Sequence, residues 1–509
     1  MSEARNTANR GLITVSVMLA TLMNTLDGTI ANIALPHIQG SLSAAPDQVT
    51  WVLTSYLVAV AVMTPMGGWL AGRFGIKRTF LGMIVGFTLS SMLCGAATTL
   101  PQMVVFRVLQ GLCGAPMIPL SQALLLNINP PERHPQAMGI WAASTILGPL
   151  IGPLVGGYLT ETFSWRWCFY INLPVGLVAG AGIWLFMARE DDTRRRAFDF
   201  LGFGALALTI AAFQLMLDRG SGEDWFASTE IWIEAVLAAA GLWVFVVHSL
   251  TAQHPFIDLV LIRDRNLVTA TVFNFFTGFL IFSSMAITPL LMQGLMGYPP
   301  MTAGFVTLPR GMGMMAGILI IGYVARVVDH RLIVIAGLVV SAISQWGMTR
   351  FDLAMDSGPL AFTGLLQGFS MGMFFVPLTT LAFGTISPSL RAEASSFYNL
   401  IRNVGASAGI ATMQALATVN THAMHSSLAA RVIPSDPMLR ATLPPAFDPS
   451  SVQGALALDA EITRQATMVA YVDDFRLMLL LTLLVTPLVL IMRPPRRANA
   501  PESVAAAIE

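Results

Sequence analysis

Residues 11–35 read GLITVSVMLATLMNTLDGTIANIAL, an apolar stretch that holds one acid, Asp27. A run of about 18 to 25 mostly apolar residues is long enough to cross about 30 Å of hydrocarbon as a helix. An acid inside such a run is costly and usually marks an ion or substrate pathway. The stretch therefore predicts a membrane-spanning helix with a functional acid. A cleaved signal peptide is the alternative, but the run is too long for one and lacks a small-x-small cleavage site.

The composition of the whole chain also indicates a membrane protein. Of its 509 residues, 55% are hydrophobic and 11% are charged, and the mean hydropathy is +0.68. Soluble domains carry about 25% charged residues. The formal net charge is zero, so the charge balance gives no indication of a nucleic-acid partner. We therefore expect the chain to lie in membrane lipid.

Apolar runs of spanning length recur to the end of the chain, and we count fourteen. Each run is long enough to form one transmembrane helix. The sequence therefore predicts an all-α integral membrane protein with fourteen transmembrane helices. The predicted spans lie near residues 12–34, 50–70, 79–98, 102–126, 137–159, 167–187, 200–217, 230–250, 266–292, 303–324, 332–349, 359–383, 393–419 and 474–492.

Lys and Arg residues are distributed unevenly between the predicted loops. With both termini on one side, eighteen of the 28 basic residues fall on that side and six on the other. Cytoplasmic loops are enriched in Lys and Arg, so both termini are predicted to be cytoplasmic. The remaining four lie in or at the edge of spans, and two of them, Arg310 and Arg402, are expected to reach the membrane interface.

A duplicated pattern divides the chain. Residues 109–111 (LQG) and 119–120 (PL) in the fourth span recur as 366–368 and 377–378 in the twelfth, at an offset of 257 to 258. Six helices with short loops account for roughly 190 to 200 residues, so about sixty remain for two further helices. The sequence therefore predicts two six-helix lobes and two extra central helices. Internal repeats of this kind are typical of secondary transporters, whose substrate site lies between the repeats.

The predicted domain boundaries follow from this pattern. A long loop near residues 420–473 lies outside the spans and is too small for a catalytic domain. The first lobe is assigned to 1–187, the linker and inserted helices to 188–265, the second lobe to 266–492 and a cytoplasmic tail to 493–509.

Asp27 is predicted to pair with Arg107 of the fourth span. A carboxylate and a guanidinium can share a polar cavity that neither could occupy alone in hydrocarbon. Position 107 shifted by 257 is Gly364, and the ninth span carries no acid, so the fold does not need these charges for packing. A proton is the natural coupling ion for an isolated carboxylate. The alternative is that Arg107 only ties helices together and that Asp27 caps a helix or snorkels to the interface.

The fifth span carries the run GPLIGPLVGG at residues 148–157. Glycines four residues apart leave a smooth helix face for close packing, and prolines remove backbone donors and favour bending. The run predicts a helix that packs closely and can flex, although close packing alone is the simpler explanation. Its members are Gly148, Pro149, Gly152, Pro153, Gly156 and Gly157.

A basic turn follows the second span at residues 68–78. Its glycines permit a tight turn, and its cations are expected on the cytoplasmic face. A simple topology anchor is the alternative to a functional role. The residues concerned are Gly68, Arg73, Gly75, Lys77 and Arg78.

Four strings taken together resemble the major facilitator superfamily, and specifically its fourteen-span EmrB/QacA-type drug:proton antiporters. They are the runs at 26–36, 68–78, 107–111 (RVLQG) and 148–157, and the resemblance covers almost the whole chain. It implies export of hydrophobic or amphipathic compounds against a proton gradient by alternating access. It also implies that the proton gradient alone supplies the energy, without a cofactor or a metal.

The resemblance further assigns roles to residues. Asp27 and Arg107 stand in the family's proton-coupling positions, and the run at 148–157 would shape the gate. The substrate cavity would be lined by the first, fourth, ninth and twelfth spans, although side chains there could equally serve helix packing. The candidate substrate contacts are Asn24, Gln110, Asn274, Phe275, Phe279, Gln367, Met371 and Phe374.

Residues 464–475, at the end of the long loop, resemble family members that work with a periplasmic adaptor protein and an outer-membrane channel. This resemblance implies a bacterial inner membrane as the location. A proton-coupled exporter of one natural metabolite, such as a siderophore or an organic acid, is the alternative within transport. Outside transport the alternatives are a membrane scaffold and a membrane enzyme, and the chain contains no HExxH or Gly-x-Ser-x-Gly motif that would favour an enzyme.

Overall fold

The computed structural model describes residues 9–44, 46–49, 51–188, 198–220, 222–253, 255–325, 328–432, 444–449 and 451–491. These ranges contain helices, turns and irregular segments but no strand, so the predicted all-α fold is confirmed. Most of the predicted linker at 188–198 and the tail at 493–509 lie outside them. The longer helices are α1 (Arg10–Ser41), α2 (Trp51–Met63), α3 (Met66–Phe74), α4 (Ile76–Ala96), α5 (Leu100–Gly114), α6 (Met117–Ile128), α7 (His134–Thr162), α8 (Asn172–Phe186), α9 (Phe200–Arg219), α10 (Thr229–Thr251), α11 (Arg265–Leu290), α12 (Pro300–Val324), α13 (His330–Met348), α14 (Ser357–Phe383), α15 (Arg391–Ala429) and α16 (Val452–Val485).

Two predicted spans are interrupted by proline. The predicted second span is made of α2 and α3, which meet at Pro65 and are bent by 56°. The predicted fourth span is made of α5 and α6, which are separated by Ala115 and Pro116. A proline removes one backbone donor and clashes with the preceding turn, so a continuous helix is not maintained at these positions.

The number of spans is only partly established. Within the described residues, eleven helices are long and apolar enough to cross a membrane, and the bent pair α2 and α3 raises the number to twelve. The predicted thirteenth and fourteenth spans correspond to α15 and α16, of 39 and 34 residues, which do not meet that criterion. Fourteen spans therefore stay a prediction.

The last two helices also change the predicted outer loop. Helix α15 continues ten residues beyond the predicted end of its span at 419, and α16 begins at Val452, well before 474. Both ends of the predicted loop at 420–473 are therefore helical.

The helices pack in two groups with a pair between them. In the first group α1 packs on α7 and α8, and α5 packs on α2 and α4. In the second group α14 packs on α12 and α13, and α15 packs on α11 and α16. Helices α9 and α10 pack on each other, and α9 also contacts α2 and α15. We call the two groups the first and second lobes; the boundaries predicted at 187, 265 and 492 stay predictions.

Candidate functional site

A buried ion pair lies inside the first lobe. Arg107 Nη1 on α5 donates to Asp27 Oδ2 on α1 at 2.8 Å, and neither side chain is exposed. The other carboxylate oxygen, Oδ1, accepts from Gln110 Nε2 and from Asn172 Nδ2, both at 2.8 Å. Three donors from α5 and α8 therefore surround one carboxylate, which offsets part of the cost of burying it.

The guanidinium of Arg107 is also fixed in place. Its Nε donates to the Val52 carbonyl at 3.0 Å, and Nη1 donates to Gln110 Oε1 at 2.8 Å. Arg107 and Gln110 are three residues apart and share one face of α5. The guanidinium lies 4.1 Å from the centre of the Tyr56 ring, a cation–π distance. The positions of both charges are thus set by helices α1, α2, α5 and α8.

Some members of this cluster were not predicted from the sequence. Asn172 Nδ2 also donates to Ser91 Oγ at 2.9 Å, and Ser91 Oγ donates to the Phe169 carbonyl at 2.9 Å. Asn172, Ser91 and Tyr56 are neutral polar groups in largely apolar stretches, and nothing local shows which helix they face. A further buried acid was also missed: Asp474 in α16 is 1% exposed, and neither of its carboxylate oxygens has a partner in the described part of the chain.

The Asp27 carboxylate is closed off from water in this conformation. Its relative exposure is 0%, as are those of its partners Arg107 and Gln110. Exchange of a proton between this carboxylate and water therefore requires a conformation in which α1 and its neighbours have moved.

The glycine run of the fifth span packs on the helix that carries Asp27. A Cβ added to Gly148 would lie 2.2 Å from Thr25 Oγ1, and one added to Gly152 would lie 2.3 Å from Thr29 Oγ1. Only glycine allows α7 to approach α1 so closely on both sides of Asp27. Gly157 has open space around its Cβ position. Pro149, Pro153 and Gly156 lie within α7, which is one helix from 134 to 162, and the side chain of Pro153 is outside the described part.

The basic turn joins three parts of the chain. Gly75 has a φ of 82°, a left-handed conformation that favours glycine. Lys77 Nζ donates to the Trp184 carbonyl near the end of α8 at 2.8 Å. A Cβ on Gly68 would lie 2.5 Å from Cα of Glu393 in α15, so α3 touches the second lobe there. The other two residues of the turn, Arg73 and Arg78, are exposed.

The two lobes are hydrogen-bonded near this turn. Gln122 Oε1 on α6 accepts from Ser395 Oγ at 2.6 Å and from Asn399 Nδ2 at 2.9 Å, both on α15. Arg391 Nη1, at the start of α15, donates to the Leu126 carbonyl at 3.1 Å. We call these contacts the lobe seam; they hold the lobes together at the membrane face marked by the basic turn.

A cavity with a volume of about 460 Å³ lies between the lobes. Its wall is formed by α7 of the first lobe and α12 of the second. The volume falls within the usual range for small-molecule pockets, about 300–1,000 Å³. The lining residues are Ala143, Leu147, Gly311, Met312, Met314, Met315, Ala316, Ile318 and Leu319.

Within the described part of the chain, the eight candidate substrate contacts lie in several different environments. Gln110 belongs to the ion-pair cluster, and Asn24 Nδ2 donates to the Gly114 carbonyl at 3.1 Å, which ties α1 to α5. In the second lobe, Asn274 Nδ2 donates to the Tyr398 carbonyl at 2.8 Å. Gln367, Met371 and Phe374 line a cavity of about 20 Å³, room for about one water, and Phe275 and Phe279 pack in an apolar cluster. Their role as substrate contacts stays a prediction.

The expectation that Arg310 and Arg402 reach the membrane interface is wrong. Arg310 on α12 points into the second lobe, where Nη2 donates to Ser284 Oγ at 2.8 Å and to Gln367 Oε1. Arg402 on α15 is 9% exposed, and its Nε has no partner in the described part of the chain. Depth along a span does not fix the direction of a long side chain, and here neighbouring helices supply neutral oxygen acceptors for Arg310.

Comparison of the sequence with known proteins shows to which family the chain belongs. The sequence profile of the Major Facilitator Superfamily matches residues 17–410. The multidrug export protein EmrB of Escherichia coli K12 is 36% identical over 84% of both chains. The fatty acid resistance protein FarB of Neisseria gonorrhoeae is 34% identical over 95% of this chain and 96% of its own length.

Solved structures agree with this assignment at the level of the fold. The human organic anion transporter MFSD10 covers 95% of this chain and all of its own, with a TM-score of 0.60 and 14% identity. The proton:xylose symporter XylE covers 93% of this chain and 95% of its own, with a TM-score of 0.58 and 14% identity. The resemblance drawn from the sequence is confirmed, and the chain is a multi-pass inner-membrane transporter, not an enzyme, that belongs to the Major Facilitator Superfamily.

Proposed function

We propose that the protein exports hydrophobic and amphipathic compounds, including drugs, in exchange for protons by alternating access. The observation that carries this proposal is the enclosed Asp27–Arg107 pair, which has no acid at the corresponding position of the second lobe. The substrate class is supported by similarity to relatives named for multidrug export and fatty acid resistance. The positive-inside distribution supports cytoplasmic termini.

The proposed coupling step is protonation of Asp27. Protonation removes the charge that balances Arg107, so the pair that stabilises this conformation is weakened. Helix α1 is then free to shift against α7, because the glycine run gives the two helices a smooth contact. The movement passes to the second lobe through α7 and the lobe seam, and the protein needs no cofactor beyond the proton gradient. On this proposal the conformation described here is the closed one, and water reaches Asp27 in another.

We further propose that an adaptor protein and an outer-membrane channel receive the exported compound. The support is the helical extension of α15 and α16 through both ends of the predicted outer loop. These extensions would carry helix surface beyond the membrane on the side opposite the basic turn, where a periplasmic partner could bind.

The proposal is tested by transport in proteoliposomes. Substrates are first found by screening lipophilic compounds in a pump-deficient strain with and without an uncoupler. We then expect Asp27→Asn to abolish uphill transport driven by an imposed pH gradient while keeping substrate counterflow without a gradient. The matched control is Asp473→Asn, which makes the same substitution in an exposed pair with Arg476 and is expected to retain both activities. Unchanged gradient-driven transport by folded Asp27→Asn protein would contradict the coupling role.

A further inference from the structure

The second lobe contains a polar cluster at positions that correspond to the ion-pair site of the first. Ser284 lies 257 positions after Asp27, and Gln367 lies 257 positions after Gln110, the same offset as the internal repeat. Arg310 on α12 supplies the guanidinium of this cluster. The second lobe thus keeps a cation and a glutamine but has serine where the first lobe has aspartate.

The charge of Arg310 is not balanced by an acid of the described ranges. Its Nη2 donates to two neutral oxygens, those of Ser284 and Gln367, and Ser284 Oγ also donates to Gln367 Oε1 at 3.1 Å. In the described ranges no carboxylate lies within ion-pairing distance of Arg310. A cation inside a membrane protein is costly without a counter-charge, so the cluster would be stabilised by a bound anion.

Several donors of the cluster are free to bind such an anion. Arg310 Nε and Nη1, and Gln367 Nε2, make no hydrogen bond to a described residue. Both guanidinium edges with parallel N–H groups include Nη2, whose two N–H groups already bond Ser284 and Gln367, so Nε or Nη1 of Arg310 would donate a single hydrogen bond to a carboxylate oxygen. One cation with neutral neighbours fits a monoanion, and the amide of Gln367 adds a further donor.

An apolar cavity is lined by residues that directly follow Arg310 on α12, although none of Arg310, Ser284 and Gln367 lines it. Arg310 keeps partial exposure, and the next residues of α12, Gly311 and Met312, line the cavity of about 460 Å³ between the lobes. Methionine side chains adapt to irregular apolar shapes. A compound whose carboxylate binds Arg310 would therefore direct its apolar body along α12 toward this cavity.

We propose that Arg310, Ser284 and Gln367 form a binding site for the carboxylate of amphipathic organic anions. The inference rests on the proposed function and narrows it, because it makes lipophilic carboxylic acids substrates that are bound in the second lobe. Binding at this site needs no proton gradient, so its test is independent of coupling through Asp27.

The test is a binding measurement on the full-length protein in nanodiscs by isothermal titration calorimetry. The probes are 2-naphthoate and its neutral analogue 2-naphthamide, which share one ring system. We expect at least tenfold tighter binding of the carboxylate, loss of this preference in Arg310→Gln and partial retention in Arg310→Lys. Arg402→Gln is the matched control, since it removes another buried guanidinium of the same lobe, and it should keep the preference.

Two further measurements keep the proposal falsifiable if Arg310→Gln does not fold. Ser284→Asp restores the acid of the first lobe, and we expect it to raise the melting temperature and abolish the preference for 2-naphthoate. Replacement of buffer chloride by sulfate, which carries no carboxylate, should leave the preference unchanged. Retained preference in folded Arg310→Gln or in Ser284→Asp, loss of preference in Arg402→Gln, or displacement of 2-naphthoate by chloride would each overturn the assignment to an organic carboxylate.

Discussion

The Asp27–Arg107 pair makes a quantitative prediction about stability. Asp27→Asn leaves the Arg107 charge buried without a counter-ion. Arg107→Met likewise leaves the Asp27 carboxylate buried without a counter-ion, since both side chains are 0% exposed. Removal of one partner of a buried pair costs about 3–5 kcal/mol. The double variant buries neither charge, so we expect its free energy of unfolding to be no lower than that of the less stable single variant. The coupling free energy should then be about 3 kcal/mol, at the upper end of the range for contacting residues.

The assay is reversible unfolding by sodium dodecyl sulfate in mixed micelles at neutral pH, followed by circular dichroism. The control cycle uses Arg219 and Glu223, a pair with side chains 33% and 40% exposed, which should show a coupling of at most about 0.5 kcal/mol. Additive effects of Asp27→Asn and Arg107→Met would refute the reasoning, because they would mean that neither charge depends on the other. On the proposed mechanism, protonation of Asp27 would remove about this coupling free energy from the stability of the conformation described here.

Three further predictions concern packing, an unpaired acid and pH. Gly148→Ala should destabilise the fold by about 1–3 kcal/mol because α7 would be forced away from α1, whereas Gly157→Ala, with open space, should leave the melting temperature unchanged. Asp474→Leu should raise the free energy of unfolding by about 1–3 kcal/mol, because both carboxylate oxygens are buried without partners among the described residues; a lower melting temperature would contradict this. Hydrogen bonds from Arg464 lower the pKa of Glu461, so the carboxylate stabilises the fold above its ordinary pKa of 4.5 and loses this effect as the pH falls through the lowered value. Glu461→Gln should therefore cost at most about 0.5 kcal/mol at pH 7 and nothing in strong acid, and a cost that persists in strong acid would disprove the ion-pair origin.

Apolar length predicted most of the helices, and the exceptions have identifiable causes. The interruptions at Pro65 and Pro116 could not be predicted from proline alone, because α12 and α14 continue through Pro309 and Pro377. The extensions of α15 and α16 lie in polar sequence. Hydropathy reports only the part of a helix that meets lipid, so it ended α15 too early and began α16 too late.

The sequence predicted the position of some residues of the candidate site but not of others. The pairing of Asp27 with Arg107 followed from the cost of isolated charges in hydrocarbon. Asn172 could not be placed, because a neutral polar residue in an apolar helix has no such energetic requirement for one partner. Arg310 was misplaced because its depth suggested the interface, although the repeat offset from Asp27 to Ser284 already marked the polar cluster that it joins.

The proposed proton site and the proposed anion site lie in different lobes, which constrains how exchange can work. A proton on Asp27 and a carboxylate on Arg310 cannot compete for one group, so their linkage must pass through a structural element that touches both lobes. Helix α7 does so, because Gly148 packs on α1 beside Asp27 and Gly139 on the same helix would place a Cβ 2.9 Å from Ile318 of α12. On the proposed mechanism, a shift of α1 on protonation would therefore change the wall of the cavity lined by Gly311 and Met312, which follow Arg310 on α12. Obligatory exchange would then require the two ligands to favour opposite positions of α7.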